Sequence, residues 1–193
     1  MKEARQARSR ETQIKLIQAA EQILKESGSQ NFKVEALTAK AGCSTGSFYN
    51  LFKDRNAVIV AVMDSIKKRT QDDIRSLFEA GAFNNPTKDE ILALMVDFSK
   101  NVYHENGSIF RICQSLSDSI PELRCVGNEM VELTVSVLAQ LPSMSDVDKA
   151  DLQFLTRTII ATFDHYLFFL EEGQMPSEKL RNQLLHLMCG YFK

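Results

Sequence analysis

The chain has 193 residues, 44% of them hydrophobic and 25% charged, ordinary figures for a soluble globular protein with one or two small domains. Only 4 prolines and 8 glycines interrupt it and tryptophan is absent, which favours helices throughout. The net charge of −2 taken alone speaks against a nucleic-acid partner, but residues 1–55 hold 10 Lys or Arg against 6 Asp or Glu, and the remainder holds 13 against 19. A front of net +4 on a body of net −6 is the distribution expected of a DNA-reading domain joined to something else.

The segment MKEARQARSR carries Lys2, Arg5, Arg8 and Arg10 and reads as a basic arm suited to phosphates or a minor groove. A helix is expected from about Ser9 to Ser27, with Ile14, Ile17, Ala20, Ile23 and Leu24 as its apolar face and Gly28 as its end. Val34, Leu37 and Ala41 then share one face of a short second helix. Gly42 stands where a helix terminus calls for a left-handed residue, and Ser44 where the next helix needs a cap. Phe48, Leu51 and Phe52 seat that third helix, leaving Thr45, Gly46, Ser47, Tyr49 and Asn50 outside the apolar face. These outward residues are small or uncharged and polar, as close approach to base edges and phosphates requires. Two helices of this size cannot bury enough apolar surface alone, so the first helix must brace them.

Three elements in register carry a resemblance to a known family. They are Ala41-Gly42-Cys43-Ser44, Gly46-Ser47-Phe48-Tyr49, and the exit Tyr49-Asn50-Leu51-Phe52-Lys53-Asp54-Arg55. With Ile17-Gln18-Ala19-Ala20 and Glu26-Ser27-Gly28 upstream, the run resembles the DNA-binding head of the TetR/AcrR family of bacterial transcriptional regulators. The outward residues and the resemblance together imply that Ser44, Thr45, Gly46, Ser47, Tyr49, Asn50 and Arg55 meet DNA, and Lys33, at a departure from the family pattern, is placed to contact a phosphate. Three positions depart from the family pattern. Phe32-Lys33 stands where a Ser or Thr cap is common, with Asn31 as a substitute cap. Thr38 replaces a small alanine, and Cys43 replaces valine as one small buried hydrophobe for another.

Asp54 is placed to cap a long helix running through Val58, Val62, Ile66, Ile74, Leu77 and Phe78 to Gly81. Beyond the break GAFNNP, Thr87-Lys88-Asp89-Glu90 opens a helix with a capping box, ended by Asn106-Gly107. A shorter helix follows over Ile109 to Leu116, and another opens at Ser119-Ile120-Pro121-Glu122 and runs to Leu141-Pro142. Ser145 opens a long one closed by Gly173, and Pro176-Ser177 starts the last.

The expected architecture is all-α with about nine helices. A tri-helical, homeodomain-like helix-turn-helix head over 1–55 joins an effector-binding and dimerisation body over 56–193 by a long helix. Met63, Met95, Phe98, Phe110, Met130 and Phe154 are candidate liners of an apolar or aromatic effector site, with Arg157 and His165 placed to orient a polar group. The resemblance puts the homodimer interface on the last two helices, where Tyr166, Leu167, Leu170, Leu184, Leu187 and Tyr191 form an apolar stripe.

Nothing catalytic is legible. There is no phosphate-binding glycine loop, no nucleophile elbow and no H-E-x-x-H. His104, His165 and His186 lie more than a turn apart, and Cys43, Cys113, Cys125 and Cys189 are scattered, so no metal site and no cofactor are expected. The longest apolar run, Tyr166 to Leu170, is too short to span a membrane, and no signal peptide opens the chain; a cytoplasmic location is expected. The expected partners are an operator duplex, a second copy of the chain and an unidentified small effector. The competing reading is a helical small-molecule-binding protein or enzyme whose front is only a packing motif.

Overall fold

The computed structural model describes residues 2–29, 32–79, 85–169 and 178–191, with the backbone alone at 2–5, 78–79 and 168–169. Eight α-helices fall within them: α1 (Lys2–Ser27), α2 (Val34–Ala41), α3 (Thr45–Leu51), α4 (Arg55–Glu79), α5 (Lys88–Leu116), α6 (Pro121–Leu138), α7 (Lys149–Phe169) and α8 (Glu178–Tyr191). No strand occurs among the described residues.

The residues form two compact units, 1–68 with 108–126, and 69–107 with 127–193. In the first, α1 packs on both α2 and α3. Its buried stripe is Leu16, Ala19, Ala20, Ile23 and Leu24, an i, i+3, i+4, i+7, i+8 pattern. Ile14 lies two residues off that stripe and is 55% exposed, so it does not belong to the apolar face expected of it. The same cluster takes in Leu37, Phe48, Phe52, then Val58, Ile59, Val62 and Ile66 of α4, and Ile109, Cys113, Ile120 and Leu123. Packing therefore continues past Arg55, where the helix-turn-helix motif ends. A second difference lies at the N-terminus, where the basic segment continues as helix from Lys2 instead of preceding it as an arm.

The second unit is built on Ile91, Leu92, Met95, Val96 and Tyr103 of α5, Val131, Val135 and Leu138 of α6, Leu152, Leu155, Ile159 and Phe163 of α7, and Leu184 and Met188 of α8. Its capping box forms as its sequence requires. The Glu90 amide donates to Thr87 Oγ1 at 3.2 Å, and the Thr87 amide donates to Glu90 Oε2 at 2.8 Å. The Thr87 amide foremost, and then the Thr87 hydroxyl donating to the same Oε2 at 2.9 Å, hold the Glu90 carboxyl below its ordinary value. Arg181 of α8 forks onto Asp97 of α5 through Nε and Nη2, and this hydrogen bonding likewise lowers the Asp97 carboxyl.

Two expected boundaries are corrected. Asn106-Gly107 does not end a helix: α5 runs unbroken to Leu116, so the expected ninth helix is absorbed. Asn106 Nδ2 donates to the Val102 carbonyl at 3.0 Å, which keeps its amide inside the helix. Gly107 is demanded by packing, since a Cβ there would lie 2.7 Å from Leu167 Cδ2. Ser145 does not cap α7 either. It follows a 3-10 turn at Pro142–Met144, and its hydroxyl donates to the Pro142 carbonyl. Asp148 is the cap, its Oδ1 accepting the Asp151 amide at 2.8 Å. The expected ends at Gly81 and Gly173 and the start at Pro176-Ser177 lie outside the described residues.

Gly127, inside α6, has nothing within 4 Å of a would-be Cβ. Gly127→Ala is therefore expected to stabilise the chain by about 0.5–1 kcal/mol through helix propensity. Gly107→Ala is expected to lose that gain and more, because Leu167 must move. Urea unfolding of the two variants checks the predicted difference in sign.

Candidate nucleic-acid interface

The turn between α2 and α3 is built by backbone chemistry. Gly42 adopts φ 65° and ψ 37°, which glycine reaches without steric cost. Its amide donates to the Ala39 carbonyl at 3.2 Å and the Cys43 amide to that of Thr38 at 3.0 Å, closing α2 with a Schellman pair. Ser44 then caps α3, its Oγ accepting the Ser47 amide at 3.1 Å and lying 2.9 Å from Ser47 Oγ. Asp54 caps α4 by accepting the Ala57 amide at 2.9 Å. Three consecutive local signals thus fix where α2 ends and where α3 and α4 begin.

The orientation of α3 is fixed by rings. Phe48 is fully buried, meets Phe52 at 5.9 Å between centroids, and holds Tyr49 edge-on at 5.1 Å. With Phe48 turned inward, Tyr49 is left 58% exposed, and Ser44, Thr45, Gly46 and Asn50 are exposed beside it. Ser47 is half-buried and its hydroxyl is engaged with Ser44, so these two side chains first serve the local fold. A Cβ on Gly46 would meet only Ser44 Oγ, at an ordinary 3.8 Å. Nothing inside the head explains a glycine at that position.

The two unusual residues of α2 behave differently. Lys33 precedes the helix in extended backbone and makes no side-chain cap, so the cap is absent; Asn31 lies outside the described residues. Thr38 is buried, and its hydroxyl donates to the Val34 and Glu35 carbonyls at 2.9 and 3.2 Å, which satisfies it inside the helix. Cys43 is half-buried and burial raises its thiol above the ordinary value; Cys113, deeper in the same unit, is pushed up to about 12. Both are protonated thiols at neutral pH.

Charge pairing separates the cations of this unit into two groups. Lys15, Lys25 and Lys40 are spent on Glu11, Glu21 and Glu26 at 2.7–3.0 Å. Arg8, Arg10, Lys33, Lys53 and Arg55 are exposed, and none forms an ion pair among the described residues. Lys33, Lys53 and Arg55 stand at the start of α2, just after α3 and at the start of α4. Lys53 was not singled out from the sequence, although its place in the exit motif was a signal for it.

Several solved structures share the fold. A proposed TetR-family transcriptional regulator from Mesorhizobium loti superposes with a TM-score of 0.73, covering 96% of each chain at 16% identity. The regulator FadR from Bacillus subtilis, solved with stearoyl-CoA, gives 0.62 over 91% of this chain and 96% of its own at 18% identity. The fold is that of the TetR-family regulators. At these identities the likeness is one of fold. A stretch of 61 residues is 33% identical to the HTH-type transcriptional regulator YvdT of Bacillus subtilis, whose own function is uncharacterised. That stretch is 32% of this chain and 31% of YvdT. No family model matches the chain.

On this TetR fold the remaining candidate residues are dispersed. Met63 and Phe110 are partly buried against the core of the first unit. Met95 is buried, and Phe98 and Met130 are half-buried, in the second. Phe154 is 53% exposed and stacks on Tyr191 at 5.5 Å, and Arg157 is exposed, so neither turns into the core of its unit. His165 is exposed as well and meets Tyr166 edge-on at 6.0 Å. Of the expected dimer stripe, Leu184 is buried within the unit and Tyr166 and Leu167 are half-buried, Leu167 against Gly107. Leu187 and Tyr191 are 63% and 48% exposed, and Leu170 lies outside the described residues. Among the described residues no group of His, Cys, Asp or Glu could hold a metal ion, and no helix is long and apolar enough to cross a membrane.

Proposed function

We propose that the chain is a TetR-type transcriptional repressor that binds a near-palindromic operator as a homodimer and is released by a small apolar or aromatic effector. The observation that carries this reading is the coincidence, on one short motif, of an outward α3 surface of small polar residues with three exposed cations, Lys33, Lys53 and Arg55, that form no ion pair among the described residues; Arg8 and Arg10 on α1 add two more. Cations of a purely structural front would be expected to pair as Lys15, Lys25 and Lys40 do. Unpaired ones add salt-dependent affinity for phosphates. The residues proposed to meet DNA are Lys33, Ser44, Thr45, Gly46, Ser47, Tyr49, Asn50 and Arg55, joined by Lys53. The 1–55 segment does the reading and the remainder serves effector binding and dimerisation, in the cytoplasm, without catalysis.

Leu187, Tyr191 and Phe154 supply exposed apolar area on α7 and α8 for a second copy. Met95, Phe98 and Met130, all of the second unit, are the proposed apolar lining for an effector, whose binding favours a conformation unsuited to the operator. Each subunit of the dimer presents one α3 to one of two successive major grooves, roughly 34 Å apart.

Gly46 provides the test. Gly46→Ala fits the head sterically and adds helix propensity, so stability is expected to stay level or rise by about 0.5 kcal/mol. Operator affinity is expected to fall at least about tenfold, or 1.4 kcal/mol, because a methyl intrudes where DNA approaches. Electrophoretic retardation on selected sequences, run beside thermal unfolding, reads both. Unchanged affinity would remove Gly46 from the interface. Changes at Thr45 or Ser47 are expected to alter base preference instead.

A further inference from the structure

The acids of the head divide as its cations do. Of the six Asp and Glu residues among the first 55, Glu11, Glu21 and Glu26 hold Lys15, Lys25 and Lys40, and Asp54 caps α4. The Glu3 side chain lies outside the described residues. Glu35 is left. It is exposed, and its carboxylate makes no hydrogen bond or ion pair among the described residues. It stands in the first turn of α2, two residues after Lys33, whose side chain is likewise unpaired there.

An acid in that turn has a local use, since α2 lacks a side-chain cap and a carboxylate near a helix N-terminus favours the dipole. That use does not explain the position. Ala36 is also exposed and stands four residues before Lys40, so an acid at 36 would serve the dipole and gain an i, i+4 partner. Glu35 has Thr38 and Ala39 at those spacings, neither of them a cation. Lys40 itself reaches Glu26 of α1, and at 3.6 residues per turn it lies about 140° round the helix from Glu35. Glu35 is therefore on the flank of α2 turned away from α1, close to a cation proposed to meet phosphate.

A carboxylate carried to a duplex by neighbouring cations is repelled by phosphates, and in the major groove its matching donor is the amino group of cytosine. We propose that Glu35 is a specificity-determining residue of the operator interface, opposing every duplex that does not offer it a cytosine N4 amine. The proposal rests on the regulator reading and adds to the α3 surface a base contact from α2.

The full chain, Glu35→Ala and Glu35→Asp are titrated by fluorescence anisotropy against the duplex that the wild-type chain selects and against a scrambled duplex, with thermal unfolding alongside. Glu35→Ala is expected to bind the scrambled duplex tighter by about fivefold or more, because a repelled charge is gone from each subunit. Its preference for the selected duplex should shrink at least about tenfold, and selection with it from a random library should leave one C·G pair of each half-site degenerate. Glu35→Asp keeps the charge and its place by the dipole but is one methylene shorter. It should melt with wild type, bind the scrambled duplex as wild type does, and lose at least about tenfold on the selected one. A carboxylate serving only the first turn of α2 would behave otherwise: Glu35→Asp would match wild type on both duplexes, and Glu35→Ala would weaken both in parallel. Either result, or a motif in which no C·G pair relaxes, would overturn the assignment. A wild-type chain that selects no sequence would end the regulator reading itself, whereas selective binding left unchanged by both variants would end only the role of Glu35.

Discussion

The double substitution Tyr49→Ala and Arg55→Ala is expected to abolish operator binding at physiological salt while leaving the fold in place. Tyr49 is 58% exposed and its one ring contact among the described residues is the edge-on approach to Phe48, so its loss costs stability of about 0.5–1.5 kcal/mol. Arg55 is exposed and forms no ion pair among the described residues, so its removal costs the fold little. For binding the balance reverses. A lost side-chain contact to DNA is worth about 1–3 kcal/mol, and the symmetry of a dimer counts each loss twice. Affinity should therefore fall by roughly a hundredfold or more for every sequence tested, since phosphate contacts carry no sequence information. Losing Arg55 from both subunits should also flatten the slope of log affinity against log salt by about 2. Retardation assays across a salt series read the affinity and the slope together.

Phe48→Ala is expected to have the opposite profile and the largest effect on stability. The ring is fully buried in the cluster that joins α1, α2, α3 and α4, and it sets the outward direction of Tyr49. Truncating a buried phenylalanine costs about 3–5 kcal/mol once the cavity is included. That is a large share of the roughly 5–15 kcal/mol that holds a typical domain together. DNA binding should vanish along with the fold that presents it. Amide hydrogen exchange separates this outcome from the first. Protection over residues 34–55 should collapse in Phe48→Ala and persist in the Tyr49/Arg55 variant. The backbone of unit two, at 131–138 for example, should stay protected in both.

The legible parts of this chain were those written in short-range chemistry. Ser44, Asp54 and the Thr87–Glu90 box each cap the helix that the sequence assigns them, because a cap is decided within four residues. Gly42 closes α2 for the same kind of reason. Gly107 could not be read this way. Following an asparagine it carries a stop signal, and only the Leu167 side chain, sixty residues away, turns it into a packing requirement. Ser145 stands where the sequence places the start of α7, but it closes the 3-10 turn at Pro142–Met144, and Asp148 caps the helix instead. At Ile14 a hydrophobic residue two positions off the stripe passed for a member of it.

The candidate interface was legible as a list of residues but not as a distribution of charge. Sequence shows ten basic residues in the first 55; it does not show which are spent on carboxylates. That Lys15, Lys25 and Lys40 are paired while Lys33, Lys53 and Arg55 are not depends on helix register and on the 26-to-40 contact across two helices. The body was less legible still. Phe154 and Tyr191, far apart in sequence, stack on one another at the surface, a fact about α7 against α8 that composition cannot contain. The pairing of Arg181 with Asp97 belongs to the same class.

The central claim, that α2 and α3 form a sequence-reading element presented in duplicate, is tested most directly by selecting bound duplexes from a random library with the purified full-length chain. The account predicts enrichment of one near-palindromic motif whose two halves are centred about one helical turn, roughly 34 Å, apart. It also predicts that the same selection with the Tyr49/Arg55 double variant recovers no motif. Failure of the wild-type chain to enrich any sequence over the starting library would contradict it.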